Sequence, residues 1–99
     1  MNIEKKEIRV LLDALQDYFY SLRIIGIVRD EELRDVFYMM VEKYKIEKDK
    51  YMISSNGTDM IVISTDRYRL KDLITEINSM GVGRCGYRIE KKKWSAKWL

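Results

Sequence analysis

The chain has 99 residues, a length that suits a single domain, and 46% of them are hydrophobic while 35% are charged. This much apolar surface excludes an intrinsically disordered chain. The absence of histidine excludes imidazole-based catalysis and most zinc sites, and a single cysteine excludes an internal disulfide.

The net charge of +3 is unevenly distributed along the chain. Residues 1–83 carry 13 basic and 15 acidic side chains, a net charge of −2. Residues 84–99 carry six basic side chains and one acid, a net charge of +5. The positive charge therefore belongs to the last strand and tail, and it favours an anionic partner for that region.

The first two predicted elements are helices over about residues 4–25 and 31–45. Gly26 offers a terminator for the first helix, and Asp30 offers an N-cap for the second. The first helix is predicted from apolar residues that recur at helical spacing on one face: Ile8, Leu11, Leu12, Leu15, Phe19 and Leu22.

A β-hairpin is predicted next, with strands over about residues 51–55 and 58–63. They flank an Asn-Gly dipeptide, which suits the two positive-φ positions of a type I′ turn. That connection places Ile53 opposite Met60. The second strand is apolar on both faces, so we expect it in the middle of a sheet or covered on both sides.

A third helix is predicted over about residues 67–80, because Ser64, Thr65 and Asp66 offer N-cap candidates before an apolar stripe. A third strand is predicted over about 84–90, followed by a basic tail over 91–99. Cys85, Tyr87 and Ile89 alternate along that strand and are expected to point inward. The element order ααββαβ predicts a single α+β domain over residues 1–99, in which helices pack against a small, mainly antiparallel sheet.

Two motifs have cofactor or catalytic associations. Gly81, Gly83 and Gly86 have the spacing of a dinucleotide-binding turn, but they follow a predicted helix, whereas that site needs a strand there. Glu90, two residues before a lysine, could join Asp59 in a metal-dependent nuclease, which is our second alternative function. We predict no cofactor, metal ligand or catalytic residue, and therefore no enzyme.

The C-terminal region combines phosphate-attracting charge with rings that can stack on bases. Trp94 and Trp98 could present one face to a ligand from a short helix, or they could fold back over the sheet. The candidate nucleic-acid-binding residues are Arg84, Arg88, Lys91, Lys92, Lys93, Trp94, Lys97 and Trp98.

The histidine-free composition, rich in Ile, Lys, Glu and Tyr, and the opening stretch MNIEKKEIRVLLDALQDYFY resemble small proteins of filamentous viruses of hyperthermophilic archaea. The resemblance is to the lipothrixvirus-like proteins of an Acidianus filamentous virus in particular. It implies an α+β domain, often of unusual topology, that serves as a viral accessory protein and acts by binding. It assigns no functional residue.

The leading interpretation is a non-enzymatic interaction protein that binds a host or viral protein. Tyr20 and Tyr38 are its candidate contacts, because they lie beside the predicted helical stripes. Nucleic-acid binding through the C-terminal region is the alternative. Without a signal-peptide pattern or an apolar run of about 20 residues, we expect the protein in the host cytoplasm or the virion.

The composition also predicts high thermal stability. Charged residues of both signs are abundant and glutamine occurs once, a pattern typical of hyperthermophile proteins. We expect a thermal midpoint well above the range of about 45–65 °C in which mesophile domains cluster. Differential scanning calorimetry measures this midpoint, and a value inside that range would contradict the expectation.

Overall fold

The computed structural model describes residues 18–93. In this part of the chain, two α-helices pack against a four-stranded antiparallel sheet, which confirms the predicted α+β class. The strands are β1 (Tyr18–Ile24), β2 (Tyr51–Ile53), β3 (Met60–Ser64) and β4 (Tyr87–Lys93). The helices are α1 (Glu31–Lys43) and α2 (Arg67–Ser79). No helix within residues 18–93 is long and apolar enough to cross a bilayer.

The strands lie in the order β2-β3-β1-β4, so β1 and β3 are central while β2 and β4 form the edges. Helix α1 connects β1 to β2, and α2 connects β3 to β4. Each helix therefore joins a central strand to the edge strand that lies two positions away. Two such interleaved β-α-β units make the ferredoxin-like βαββαβ arrangement.

The prediction that a helix continues through residues 18–25 is wrong, because residues 18–24 form the central strand β1. Phe19 and Leu22 extend the helical spacing of the preceding residues, but they also fit a strand that is buried on both faces. Tyr, Phe and Ile dominate this stretch, and these residue types favour strands. The rest of the predicted helix, residues 4–17, lies outside the described residues.

Local capping signals predicted the starts of both remaining helices correctly. The Asp30 carboxylate accepts a hydrogen bond from the backbone N–H of Leu33 at 3.1 Å, and Asp66 caps α2 in the same way. Helix α1 ends two residues earlier than predicted. Lys45 adopts a left-handed conformation with a φ of 53°, and the Ile46 N–H returns to the Val41 carbonyl, which closes the helix.

The hairpin has the predicted register but a different turn. Ile53 lies opposite Met60, as expected. The loop, however, is closed by the hydrogen bond from the Ser54 N–H to the Asp59 carbonyl, and within it Gly57 has a positive φ of 76°. Asn56 stays out of the left-handed region, and its side-chain oxygen accepts from the Thr58 N–H. The turn is therefore not type I′, which needs two positive φ angles.

The last strand lies three residues later than predicted, over residues 87–93 instead of 84–90. The Asn78 side chain accepts from the Cys85 N–H at 2.8 Å and donates to the Cys85 carbonyl at 3.4 Å. These bonds hold Cys85 beside α2 and keep its backbone out of the sheet. Cys85 is buried as predicted, Ile89 is half-buried, but Tyr87 is exposed rather than inward-facing.

The two helices are linked at their surfaces by Glu76 of α2. Its carboxylate binds the ammonium group of Lys43 and accepts a hydrogen bond from the hydroxyl of Tyr44. That hydrogen bond raises the pKa of Tyr44 to about 12, because losing the phenolic proton would set a second negative charge against the carboxylate.

A second polar contact, centred on Asp59, connects the β2–β3 hairpin to the loop after β1. The Asp59 carboxylate accepts hydrogen bonds from the backbone N–H of Gly26 and from Nε of Arg23, both at 2.8 Å. The Thr58 hydroxyl donates to the same carboxylate at 3.0 Å. The hydrogen bonds, led by the Gly26 N–H, lower the pKa of Asp59 to about 2.

This contact predicts a pH dependence of stability. Because folding lowers the Asp59 pKa, the ionised group stabilises the fold above its unfolded pKa of about 4. That contribution is lost as the pH falls from about 4 towards 2. We expect Asp59→Asn to be less stable than the wild type at pH 7, with the two unfolding free energies converging near pH 2. Urea titrations across this range measure both.

Asp49→Asn, which removes an exposed carboxylate, is the matched control and should follow the wild-type curve. A constant difference between the wild type and Asp59→Asn from pH 7 to 2 would show that the ionised carboxylate is not the source of the stabilisation.

Candidate functional site

The basic residues predicted to bind nucleic acid lie together along one edge of the sheet. Arg88 and the three consecutive lysines 91–93 are on β4, and Arg84 is in the loop before it. All five side chains are exposed. Strand β4 pairs with β1 alone, so no other strand of residues 18–93 occupies its outer edge, called the open edge below. Trp94, Lys97 and Trp98 lie outside the described residues.

Strand alternation divides this edge between two faces. The register with β1 places Tyr87, Ile89, Lys91 and Lys93 on the face that the helices cover in the middle of the sheet. Arg88 and Lys92 lie on the other face, together with Glu90. Because β4 is an edge strand, the side chains of both faces lie beside its open edge. One extended ligand along this edge can therefore contact Lys91 and Lys93 on one face and Lys92 on the other.

The acid within the basic edge is already paired. Glu90 accepts from Nε of Arg88 at 2.8 Å, and both side chains are about half exposed. Within residues 18–93, no carboxylate forms an ion pair with Lys91, Lys92 or Lys93. The positive charge of these three lysines is therefore not neutralised by the part of the protein that the structure describes.

Two exposed tyrosine rings lie near the ends of the basic edge. The Tyr18 side chain is 45% exposed, and the ammonium nitrogen of Lys91 lies 4.2 Å from its ring centroid. Tyr87 is 41% exposed, and the ammonium nitrogen of Lys71 lies 5.9 Å from its ring centroid. The register sets the two tyrosines six residues apart along the strands, roughly 20 Å, on one face.

Sequence reasoning missed Tyr18, Lys71 and Tyr87 as members of this site. The sequence predicts a helix at Tyr18 and an interior position for Tyr87. The signal that could have found Tyr18 is the aromatic-rich stretch that begins there, which favours a strand. Lys71 joins the site because its ammonium group reaches from α2 over the Tyr87 ring, a contact that no local pattern specifies.

The two tyrosines predicted to contact a protein partner lie in different environments. Tyr20 is on the central strand β1, not on a helix, and it is half-buried against the core. Tyr38 is on α1 and 42% exposed. Its ring packs edge-on against Phe37 and Tyr51, with centroid distances of 5.5 and 6.4 Å.

Tyr38 contributes to an apolar groove at the opposite edge of the sheet, between α1 and β2. The groove has a volume of about 530 Å³. Met39 on its wall and Ile53 on the neighbouring strand are about half exposed. Its apolar lining consists of Tyr38, Met39, Val41, Ile46 and Tyr51, and the charged residues Glu42, Lys45 and Lys48 complete the wall.

The residues considered for catalysis are not brought together. Asp59 is buried just before β3 and is hydrogen-bonded to Arg23, whereas Glu90 is exposed on β4 and paired with Arg88. Among residues 18–93, no three acidic or cysteine side chains are grouped closely enough to hold a metal ion. Burial raises the pKa of the Cys85 thiol, which disfavours the reactive thiolate.

Comparisons with known proteins identify neither a family nor a function for this chain. No protein-family model matches the chain, and no curated protein matches it in sequence. The crystal structure of acylphosphatase from Bacillus subtilis is similar with a TM-score of 0.49 and 12% sequence identity. The match covers 80% of this chain and 89% of the acylphosphatase chain. At this level, the similarity carries no argument about the function of this protein.

Proposed function

We propose that this protein binds single-stranded nucleic acid along the open edge of β4. The observation that carries the proposal is the row of exposed lysines at positions 91–93, unpaired with carboxylates of residues 18–93 and bordered by two exposed tyrosine rings. Lysines attract the phosphates of a nucleic acid whatever its base sequence, and aromatic rings stack on unpaired bases. Proteins that bind single strands without sequence preference combine these two features.

The arrangement favours a single strand over a duplex. Stacking on Tyr18 or Tyr87 requires bases whose faces are accessible, and those of a duplex are already stacked on each other. The lysine that lies over each tyrosine ring has a flexible stem, so it can move aside for a base and keep its charge close to the phosphates.

Lysines on an edge strand also discourage edge-to-edge pairing between protein molecules. That role needs neither the tyrosine rings nor binding to phosphate. Measurements of binding therefore separate the two explanations.

The lysines of β4 should make the binding of a single strand sensitive to salt. Affinity for an oligothymidylate should fall with salt, with a log–log slope of about −0.7 for each phosphate contacted. Changing Lys91, Lys92 and Lys93 together to Gln should reduce the magnitude of this slope by about 2, because three phosphate contacts are lost. Fluorescence anisotropy with a labelled oligonucleotide at several salt concentrations gives the slopes.

The matched control changes Lys45, Lys48 and Lys50 to Gln, which removes the same charge at the other edge of the sheet. It should keep the wild-type slope. Equal slopes for both triple variants would mean that only net charge matters and that β4 is not the site. If the wild type binds no oligonucleotide at low salt, the proposed function is wrong.

The rings of Tyr18 and Tyr87 should contribute to single-strand affinity. Tyr18→Ala and Tyr87→Ala should each lose about 1–3 kcal/mol of single-strand binding, roughly 5- to 150-fold in affinity, if a base stacks on the ring. Tyr68→Ala, at a ring that is 79% exposed on α2, is the control and should bind normally. Tyr→Phe at positions 18 and 87 should retain binding, because phenylalanine keeps the aromatic ring. If the wild type bound a duplex more strongly than a single strand, stacking on these rings would be contradicted.

A second candidate function is capture of an extended peptide from another protein at the β2 edge. The observation that favours it is the mainly apolar groove beside β2, whose outer edge is not paired with another strand of residues 18–93. A peptide can add a strand at such an edge and place side chains in the groove. Tyr38 and Ile53 offer exposed apolar contacts beside that edge. This candidate keeps the interpretation of a protein partner, with Tyr38 and without Tyr20.

Selection of random linear peptides displayed on phage against the full chain tests this candidate. We expect selected peptides with alternating apolar residues, which is the pattern of an added strand. Tyr38→Glu should weaken their binding at least tenfold, because it replaces an apolar ring of the lining with a carboxylate. The control Tyr68→Glu should not weaken it. Peptides that bind the Tyr38→Glu and Tyr68→Glu variants equally well would locate their site elsewhere.

A further inference from the structure

Two pairs, each made of a tyrosine ring and a lysine ammonium group, lie at opposite ends of the open edge. Tyr18 begins β1, and the ammonium nitrogen of Lys91 lies 4.2 Å from its ring centroid. Tyr87 begins β4, and the ammonium nitrogen of Lys71 of α2 lies 5.9 Å from its ring centroid. Each pair offers one nucleotide both a surface for its base and a positive charge for its phosphate.

Both rings lie on the face that the helices cover at the middle of the sheet, called the helix side below. Tyr18 pairs with Lys93, and Tyr87 lies six residues before Lys93 on β4, so strand alternation places the two rings on one face. Between the rings along β4, Ile89 is half-buried and Lys91 is exposed. This strip of the helix side is therefore an accessible surface with a ring at each end.

The other face of β4 has a different character. Its side chains are Arg88, Glu90 and Lys92, none of which is aromatic. Glu90 carries a negative charge and accepts from Nε of Arg88 at 2.8 Å. Phosphates along the edge can contact lysines of both faces, whereas the two exposed rings on which unpaired bases can stack, Tyr18 and Tyr87, lie on the helix side.

We propose that one nucleic-acid strand stacks a base on each ring at the same time, so that the open edge is a two-ended site. This inference rests on the proposed function and adds the class of ligand. The site takes oligonucleotides long enough to reach both rings, in preference to mononucleotides and very short strands. Binding at the second ring is then intramolecular, so a bridging strand gains affinity without any new kind of contact.

The separation of the rings sets the length of strand that can bridge them. Six residues along the strands amount to roughly 20 Å. Stacked nucleotides advance about 3.4 Å each, so a fully stacked strand needs about seven nucleotides to reach both rings. An extended strand advances further with each nucleotide and needs fewer. A trinucleotide is too short to bridge the rings.

The affinities of oligothymidylates of increasing length for the full chain test this proposal. A trinucleotide can use either ring, so at least one of Tyr18→Ala and Tyr87→Ala should bind it within about twofold of the wild type. A strand of about eight nucleotides or more should lose at least about fivefold in both variants, because it uses both rings. The control Tyr68→Ala should match the wild type at every length. Titration calorimetry with unlabelled strands at low salt gives these affinities.

The outcomes separate this proposal from the proposed function. If long strands lose affinity in only one of the two variants, or if short and long strands lose the same factor in both, the two-ended site is wrong. The proposed function stands in these cases if changing Lys91, Lys92 and Lys93 to Gln still reduces the salt dependence of binding. If the wild type binds no strand of any length, both proposals are wrong.

Discussion

Strand β1 hydrogen-bonds to β3 on one side and to β4 on the other, and the rest of the described chain is organised around it. Its side chains are buried on both faces, with Leu22 and Ile24 against the helices and Phe19 on the opposite side. The loop that follows β1 is held to the hairpin through Asp59. The backbone N–H and C=O groups of β1 are hydrogen-bonded to β3 on one side and to β4 on the other. No further strand can pair with β1, so β4 becomes one edge of the sheet, and β2, which pairs with β3, becomes the other.

The two edges that result have different chemistry. The β4 edge presents lysines whose charge is not paired with carboxylates of residues 18–93, next to exposed rings, whereas the β2 edge presents an apolar groove. Both faces of the sheet centre are buried, so the edges and the outer surfaces of the helices are what this part of the chain offers to partners. A polyanion at β4 and an extended peptide at β2 would therefore bind at opposite edges of the sheet and would not compete directly for one site.

Two carboxylates of the described residues, Asp59 and Glu76, are held by hydrogen bonds that link elements of the fold. Asp59 is fixed by the Gly26 N–H and the Arg23 guanidinium, and its lowered pKa keeps it ionised and weakly basic. Glu76 is held by Lys43 and Tyr44 between the helices. A general acid or base at neutral pH needs a pKa near 7, and both of these carboxylates are displaced in the opposite direction.

The sequence by itself determined the features that depend on neighbouring residues. The caps at Asp30 and Asp66, and the hairpin register that pairs Ile53 with Met60, follow from groups only a few positions apart along the chain. The concentration of basic residues after position 83 is also visible in the sequence. Arg88 and the lysines at 91–93 lie close together in the structure because they are neighbours on one strand.

Tertiary structure alone decided where β1 and β4 begin and which side chains meet across the sheet. Residues 18–24 fit a helical spacing as well as a strand, and pairing with both β3 and β4 selects the strand. The placement of Tyr18 beside Lys91, and of Tyr87 beside Lys71, requires contacts between residues far apart in sequence. Periodicity reports which side of an element is apolar, but the partner of that side is set by the packing of the whole chain.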